Sequence, residues 1–294
     1  MKEIPGHLFP FDKHWLELDD LRLHYLDEGS GEVVVALHGN PTWSFYYRDL
    51  VRGLRTDYRV IVPDHMGCGL SDKPRDDVYD YTLSRRIEDF SRLTDDLDLD
   101  DINLVVHDWG GMIGLGWAAR NPERVKRLVI LNTAAFPLPE TKKFPWRLWM
   151  VRDTPLGPFM VRGLNAFARG ATHLACTRKR LSKEVRDAYC APYDSWADRR
   201  AILRFVQDIP LRPEDRCYEI VTDTAARLEV FRDRPVLVCW GDKDFVFDHH
   251  FLAVWQRILP GADVHRFSDC GHYILEDASE EILPLIRQFL ASKE

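Results

Sequence analysis

Short apolar runs rich in β-branched residues punctuate this chain at residues 33–37, 59–62, 102–106, 127–131 and 236–240. Their apolar positions are nearly consecutive rather than alternate, the pattern of strands buried on both faces of a parallel sheet. Helical spacing fills the gaps, over residues 43–54, 81–97 and 110–120. The alternation predicts an α/β sheet with right-handed crossovers. Residues 21–27 alternate weakly and predict an early antiparallel strand, with Gly29, Ser30 and Gly31 as the turn after it.

The alternation breaks once. Residues 136–227 show helical spacing punctuated by Pro145, Pro155, Pro158, Pro192, Pro210 and Pro213, and the strand pattern resumes at Pro235. A helical insertion between two strands is expected to sit over the carboxyl ends of the sheet, where open α/β folds bind ligands. The expected organisation is a core of residues 1–135 and 228–294 with a cap of residues 136–227.

Composition narrows the class. The 294 residues, 45% hydrophobic and 12% aromatic, can bury a sizeable core. Net charge is −7, with acids and bases interleaved and no long basic run. That argues against nucleic-acid and polybasic membrane binding. The six cysteines are scattered with no CxxC pair, which fits incidental thiols in a reducing compartment and no metal site. The N-terminus has no continuous apolar segment of signal-peptide type, and no stretch is long and apolar enough to span a membrane. The expectation is a soluble cytoplasmic protein.

The chemistry gathers at VVHDWGG, residues 105–111. A buried strand leads into a turn with Asp108 at its apex and Gly110 and Gly111 behind it. Small neighbours are what a strained nucleophile elbow needs. Asp is also among the best helix caps, so the motif alone leaves both readings open. Four further motifs follow strands in order. These are LHGNPTW (37–43), PDHMGCGLSDKP (63–74), WGDKD (240–244) and CGHY (270–273). Asp108, a later acid and His272 reproduce the nucleophile–acid–base order of hydrolase elbows.

On these motifs the sequence resembles the α/β-hydrolase superfamily over nearly its whole length. HGNPTW with HDWGG is similar to the haloalkane dehalogenases. RGLNAFARGA (162–171) and APYDSW (191–196) resemble their third subfamily, which includes the β-lactone decarboxylases of long-chain olefin biosynthesis. The resemblance implies a mostly parallel eight-stranded sheet with a helical cap, an enzyme without cofactor, and self-association. It favours Asp244 over Asp242 as the acid orienting His272. It also makes the side chains of Asn40 and Trp109 the leaving-group donors.

A carboxylate nucleophile suits a saturated carbon bearing a leaving group, because attack on a carbonyl would yield a labile anhydride. Displacement leaves an alkyl ester on Asp108, and water activated by His272 then hydrolyses it. Backbone N–H groups of Asn40 and Trp109 are expected to hold the oxyanion. One dehalogenase subfamily places its acid where this chain has Asn132, which cannot serve. His107 reads as a packed strand residue, and His249 and His250 as a solvated helix start.

The leading expectation is hydrolytic dehalogenation of a small apolar haloalkane, releasing alcohol and halide. The alternative is β-lactone decarboxylation to an alkene and CO₂. Epoxide hydrolysis requires cap tyrosines as acids, for which Tyr189, Tyr193 and Tyr218 are candidates. A non-catalytic binding protein is opposed by the complete set Asp108, Asp244 and His272.

Overall fold

Eight strands form one sheet in this computed structural model, which describes residues 4–292. They are β1 (His14–Leu18), β2 (Leu21–Glu28), β3 (Glu32–Leu37), β4 (Tyr58–Pro63), β5 (Ile102–Asp108), β6 (Val125–Thr133), β7 (Val236–Gly241) and β8 (Asp263–Phe267). Their spatial order is β1-β2-β4-β3-β5-β6-β7-β8. The pairs β1/β2 and β2/β4 are antiparallel, and every other pair is parallel. β1 escapes the sequence reading because, as an edge strand buried on one face only, it lacks the continuous apolar run of the inner strands. Its Leu16 and Leu18 are buried while Trp15 and Glu17 face outward.

Both faces of the inner strands are covered, which explains their unbroken apolar runs. Val35 and Leu37 of β3 pack in one cluster with Leu104 and Val106, whereas Val34 and Ala36 pack in another with Val105. Successive side chains of a strand point to opposite faces, so each strand feeds both clusters.

On the helical side, α1 (Arg48–Leu54), α2 (Leu83–Asp96) and α3 (Trp109–Ala118) belong to the first half of the chain. Thr82 caps α2 by accepting the backbone N–H of Arg85. Between β6 and β7 the described residues contain no strand. This stretch, here called the cap, holds α4 (Trp146–Asp153), α5 (Leu156–Pro158), a π-helical turn (Phe159–Gly163), α6 (Ala166–Leu174), α7 (Lys183–Cys190), α8 (Arg200–Gln207) and α9 (Tyr218–Arg227). After β7 come α10 (His249–Ile258) and, after β8, α11 (Ile274–Ala291).

Buried polar groups tie the cap to the core. Arg48 of α1 donates to both carboxylate oxygens of Glu276 at 2.5 and 2.9 Å, and the Tyr189 hydroxyl of α7 donates to the same carboxylate at 2.5 Å. Asp277 accepts the backbone N–H groups of Thr177 and Arg178 in the cap and of Gly271 beside β8. Two adjacent acids of α11 therefore fix the cap and the loop bearing His272 together.

Removing one partner of a buried ion pair strands the other charge and costs about 3–5 kcal/mol. Glu276→Ala is expected to lower unfolding free energy by about that much, measured from the urea midpoint and slope. A loss of less than about 1 kcal/mol would place the pair with ordinary surface bridges.

Candidate active site

β5 ends on Asp108, whose backbone sits at φ 51° and ψ −126°. That conformation is strained for any residue but glycine and persists only where its surroundings hold it. The Thr133 hydroxyl holds it from the neighbouring strand by donating to the Asp108 carbonyl. Asp108 stands at the N-cap position of α3, yet its side chain makes no capping hydrogen bond. The carboxylate is directed elsewhere.

Its Oδ1 accepts the backbone N–H of Asn40 at 2.6 Å, and the nearby backbone N–H of Trp109 also favours the ionised carboxylate. This approach demands glycine twice. A Cβ on Gly39 would lie 2.0 Å from Asp108 Oδ1, and one on Gly110 would lie 2.0 Å from the Leu37 carbonyl oxygen.

The loop after β3 is pinned from the loop after β4. His38 Nδ1 donates to the Gly39 carbonyl at 2.7 Å, while its Nε2 accepts the His65 backbone N–H at 3.1 Å. His65 Nε2 returns a bond to the His38 carbonyl at 2.8 Å. Burial lowers the His38 pKa to about 4 despite nearby Asp64, so the ring is neutral and keeps this bonding pattern at physiological pH. Asp64 accepts the Ser44 N–H at 2.6 Å, the Leu70 N–H at 2.8 Å and His24 Nδ1 at 2.8 Å.

His272 lies beyond β8, with Nε2 3.5 Å from Asp108 Oδ2 and Nδ1 2.7 Å from Asp244 Oδ2. The other Asp244 oxygen accepts the N–H groups of Val246 and Phe247 at 2.7 and 3.0 Å. Asp242 turns outward and pairs with Arg266. The structure thus brings Asp108, His272 and Asp244 into one line. One oxygen of Asp108 is held by the backbone N–H of Asn40, and the other faces the imidazole.

Two residues outside the sequence reading of the site help to build it. Asn132 accepts the Gly241 N–H at 2.7 Å and donates to the carbonyls of Gly241 and Phe247 at 3.1 and 3.3 Å, bracketing the Asp244 loop. His107 Nε2 donates to the His272 carbonyl at 2.8 Å, and burial keeps this ring neutral. His107 is packed, as expected of a strand residue, but it also holds the His272 backbone.

Burial raises the Asp108 pKa, and His272 and the two N–H donors only partly oppose it. For His272, burial disfavours the charge, but Asp244 and then Asp108 outweigh it and the net shift is upward. The arrangement stores an imidazole that gains a proton readily, as a general base requires.

Asn40, Asp108, Trp109 and His272 share a cavity of about 510 Å³ with largely apolar walls such as Phe136, Leu148 and Phe167. The Asn40 amide is partly engaged. Its Nδ2 donates to the Ile202 carbonyl of α8 at 3.2 Å, leaving one N–H for another acceptor. Tyr189, Tyr193 and Tyr218 do not line the cavity. The first donates to Glu276 and the second to the Thr42 carbonyl, so no pair of cap tyrosines faces Asp108. Asp248, His249 and His250 bring ligand-type atoms within 4.8 Å of one another, but Asp248 is occupied by Lys142 and the His250 N–H.

Residues 32–279 match the family of the alpha/beta hydrolase fold, and the chain belongs to that family. It is 57% identical, over 98% of its length and 91% of the relative's, to the cis-3-alkyl-4-alkyloxetan-2-one decarboxylase of Shewanella oneidensis. It is 33% identical, over 96% of its length and 93% of the relative's, to a haloalkane dehalogenase of Psychrobacter cryohalolentis. The crystal structure of haloalkane dehalogenase DatA from Agrobacterium tumefaciens C58 superposes with a TM-score of 0.86 at 25% identity, covering 95% of this chain and 96% of that one.

Gly39→Ala tests the packing of Asn40 against Asp108. The variant is expected to fold, with an unchanged circular dichroism spectrum, and to lose at least about 10²-fold in kcat, as when one oxyanion donor is removed. Wild-type kcat in this variant would contradict the role given to the close approach.

Proposed function

We propose that the chain is a β-lactone decarboxylase that converts cis-3,4-dialkyl oxetan-2-ones to alkenes and CO₂ through an ester on Asp108. The similarity that carries this reading is the 57% identity, along almost the whole chain, to a protein named for that reaction. The sequence alone ranks carbon–halogen cleavage first. The relatives reverse the order, because the dehalogenase similarity stands at only 33%.

The site suits the reaction. Asp108 Oδ2 attacks the saturated ring carbon that bears the ring oxygen, and the C–O bond breaks to free a carboxylate. Asn40 and Trp109, donors that would hold a halide, serve equally for this carboxylate. Inversion at the attacked carbon places the new ester anti to the carboxylate. The carboxylate then leaves as CO₂, its bonding pair forms the C=C bond, and Asp108 departs with the ester C–O pair. The cis ring gives a cis alkene without rotation about the central bond. An apolar cavity favours the step, because charge concentrated on the carboxylate is poorly solvated there and disperses as CO₂ leaves.

No water enters this sequence, whereas dehalogenation needs water activated by His272 to release the ester. Side-by-side assays of a cis-dialkyl β-lactone and a 1-bromoalkane are expected to give alkene with kcat/KM at least about tenfold above that for bromide release, a difference of 1.4 kcal/mol in barrier. Bromide turnover exceeding alkene formation, or a 3-hydroxy acid as the lactone product, would overturn the reading.

The pH profiles should differ as well. The His272 pKa is raised above 6.5, so neutral base is lost as pH falls through a value above 6.5. Steady bromide turnover is expected to fail there. Protonated His272 keeps its neighbour Asp108 ionised, so alkene formation is expected to persist to lower pH. Coincident acid limbs would show that decarboxylation also needs neutral His272.

A further inference from the structure

The geometry points to an anionic lipid surface as the docking partner of the cap face around the cavity mouth. This inference goes beyond the proposed reaction and does not depend on which substrate the cavity takes.

Three residues mark the mouth, because they line the cavity and are still open to solvent. Trp146 is 66% exposed, Leu174 52% and Phe245 46%. On α4 the exposed side continues one turn on with Trp149, 49% exposed, while Leu148 and Val151 form the buried side. Leu156 and Phe159 follow, each 57% exposed. Beside Phe159 sits Trp196, with the Arg162 guanidinium 4.7 Å above its ring. Exposed aromatics concentrated at one opening mark an interaction surface, and Trp in particular suits the boundary between lipid and water.

Charge selects the partner. Residues 141–180, from just before α4 to just past α6, carry nine Lys and Arg against a single acid, Asp153, in a chain whose total is −7. The rest of the molecule is therefore acidic in sum, and within this stretch Lys142, Arg152 and Arg178 are paired with acids. Lys143, Arg147 and Arg169 are exposed and make no ion pair among the described residues. Arg147 lies 5.7 Å over the Trp146 ring, combining cation and aromatic at the rim. Lys143, Arg147 and Arg169 lie apart along the chain, so no long basic run announces them in the sequence. Aromatic anchors among cations are the composition of surfaces that settle on anionic bilayers. Docking there would open the apolar cavity toward the acyl layer.

Cosedimentation with vesicles tests this, using phosphatidylcholine alone and phosphatidylcholine with about one-third phosphatidylglycerol, a composition chosen for its anionic surface. Wild-type protein is expected to bind the anionic vesicles at low salt and to release them at high salt. Trp149→Ser with Phe159→Ser should lower partitioning on the order of tenfold and leave kcat on a short soluble substrate unchanged. Lys143→Glu with Arg169→Glu, charge reversals at exposed sites, should weaken binding by at least about fivefold per position and provides a second route should the first variant fold poorly. Absence of binding to anionic vesicles at low salt would overturn the proposal, as would binding that neither variant weakens. So would light scattering showing an oligomer that Trp149→Ser with Phe159→Ser converts to monomer, which would make the face a contact between copies.

Discussion

The contact between the Asn40 N–H and Asp108 Oδ1, 2.6 Å long, is the constraint on which the site depends. It joins the loops after two adjacent parallel strands, β3 and β5, and it exists only because Gly39 has no Cβ to fill the gap. The carboxylate is thereby divided into two unlike oxygens. One is held by the Asn40 backbone N–H, and the other faces His272. The strained backbone of Asp108, of a kind worth roughly 1–3 kcal/mol, is sustained by Thr133 and by the helix that begins at once behind it.

Around that contact the chain stiffens every loop that carries a reacting group. Asp64 and the neutral pair His38 and His65 lock the Asn40 loop. Asn132 brackets the Asp244 loop, and Asp277 and His107 hold the backbone around His272. Most of these are side chain to backbone bonds, which position a loop without adding charge to the cavity. The polar stitching lies outside the cavity wall, which leaves its interior apolar.

Much of this was legible in the sequence for one reason. Strands buried on both faces leave continuous apolar runs, and the motifs at their carboxyl ends then fall in a recognisable order. What escaped depends on contacts between distant segments. β1, an edge strand buried on one face only, carries no continuous apolar run. The bond from Asn40 to Ile202 requires α8 to cross the site, which no local pattern announces. The tyrosines looked like candidate acids by their place in the cap, but Tyr189 and Tyr193 turn to Glu276 and Thr42 instead. The elbow and donor motifs fit dehalogenation and decarboxylation alike; the sequence reading placed dehalogenation first, and the 57% identical relative reverses that order.

The account rests on Asp108 forming a covalent ester, and a variant that cannot hydrolyse one reveals it most directly. His272→Phe should accept a 1-iodoalkane, release about one iodide per chain, and stall, since displacement needs no base and ester hydrolysis does. Intact-mass analysis is expected to show one alkyl group added, and peptide mapping to place it on Asp108. An adduct on another residue, or iodide release continuing over many turnovers, would contradict the account.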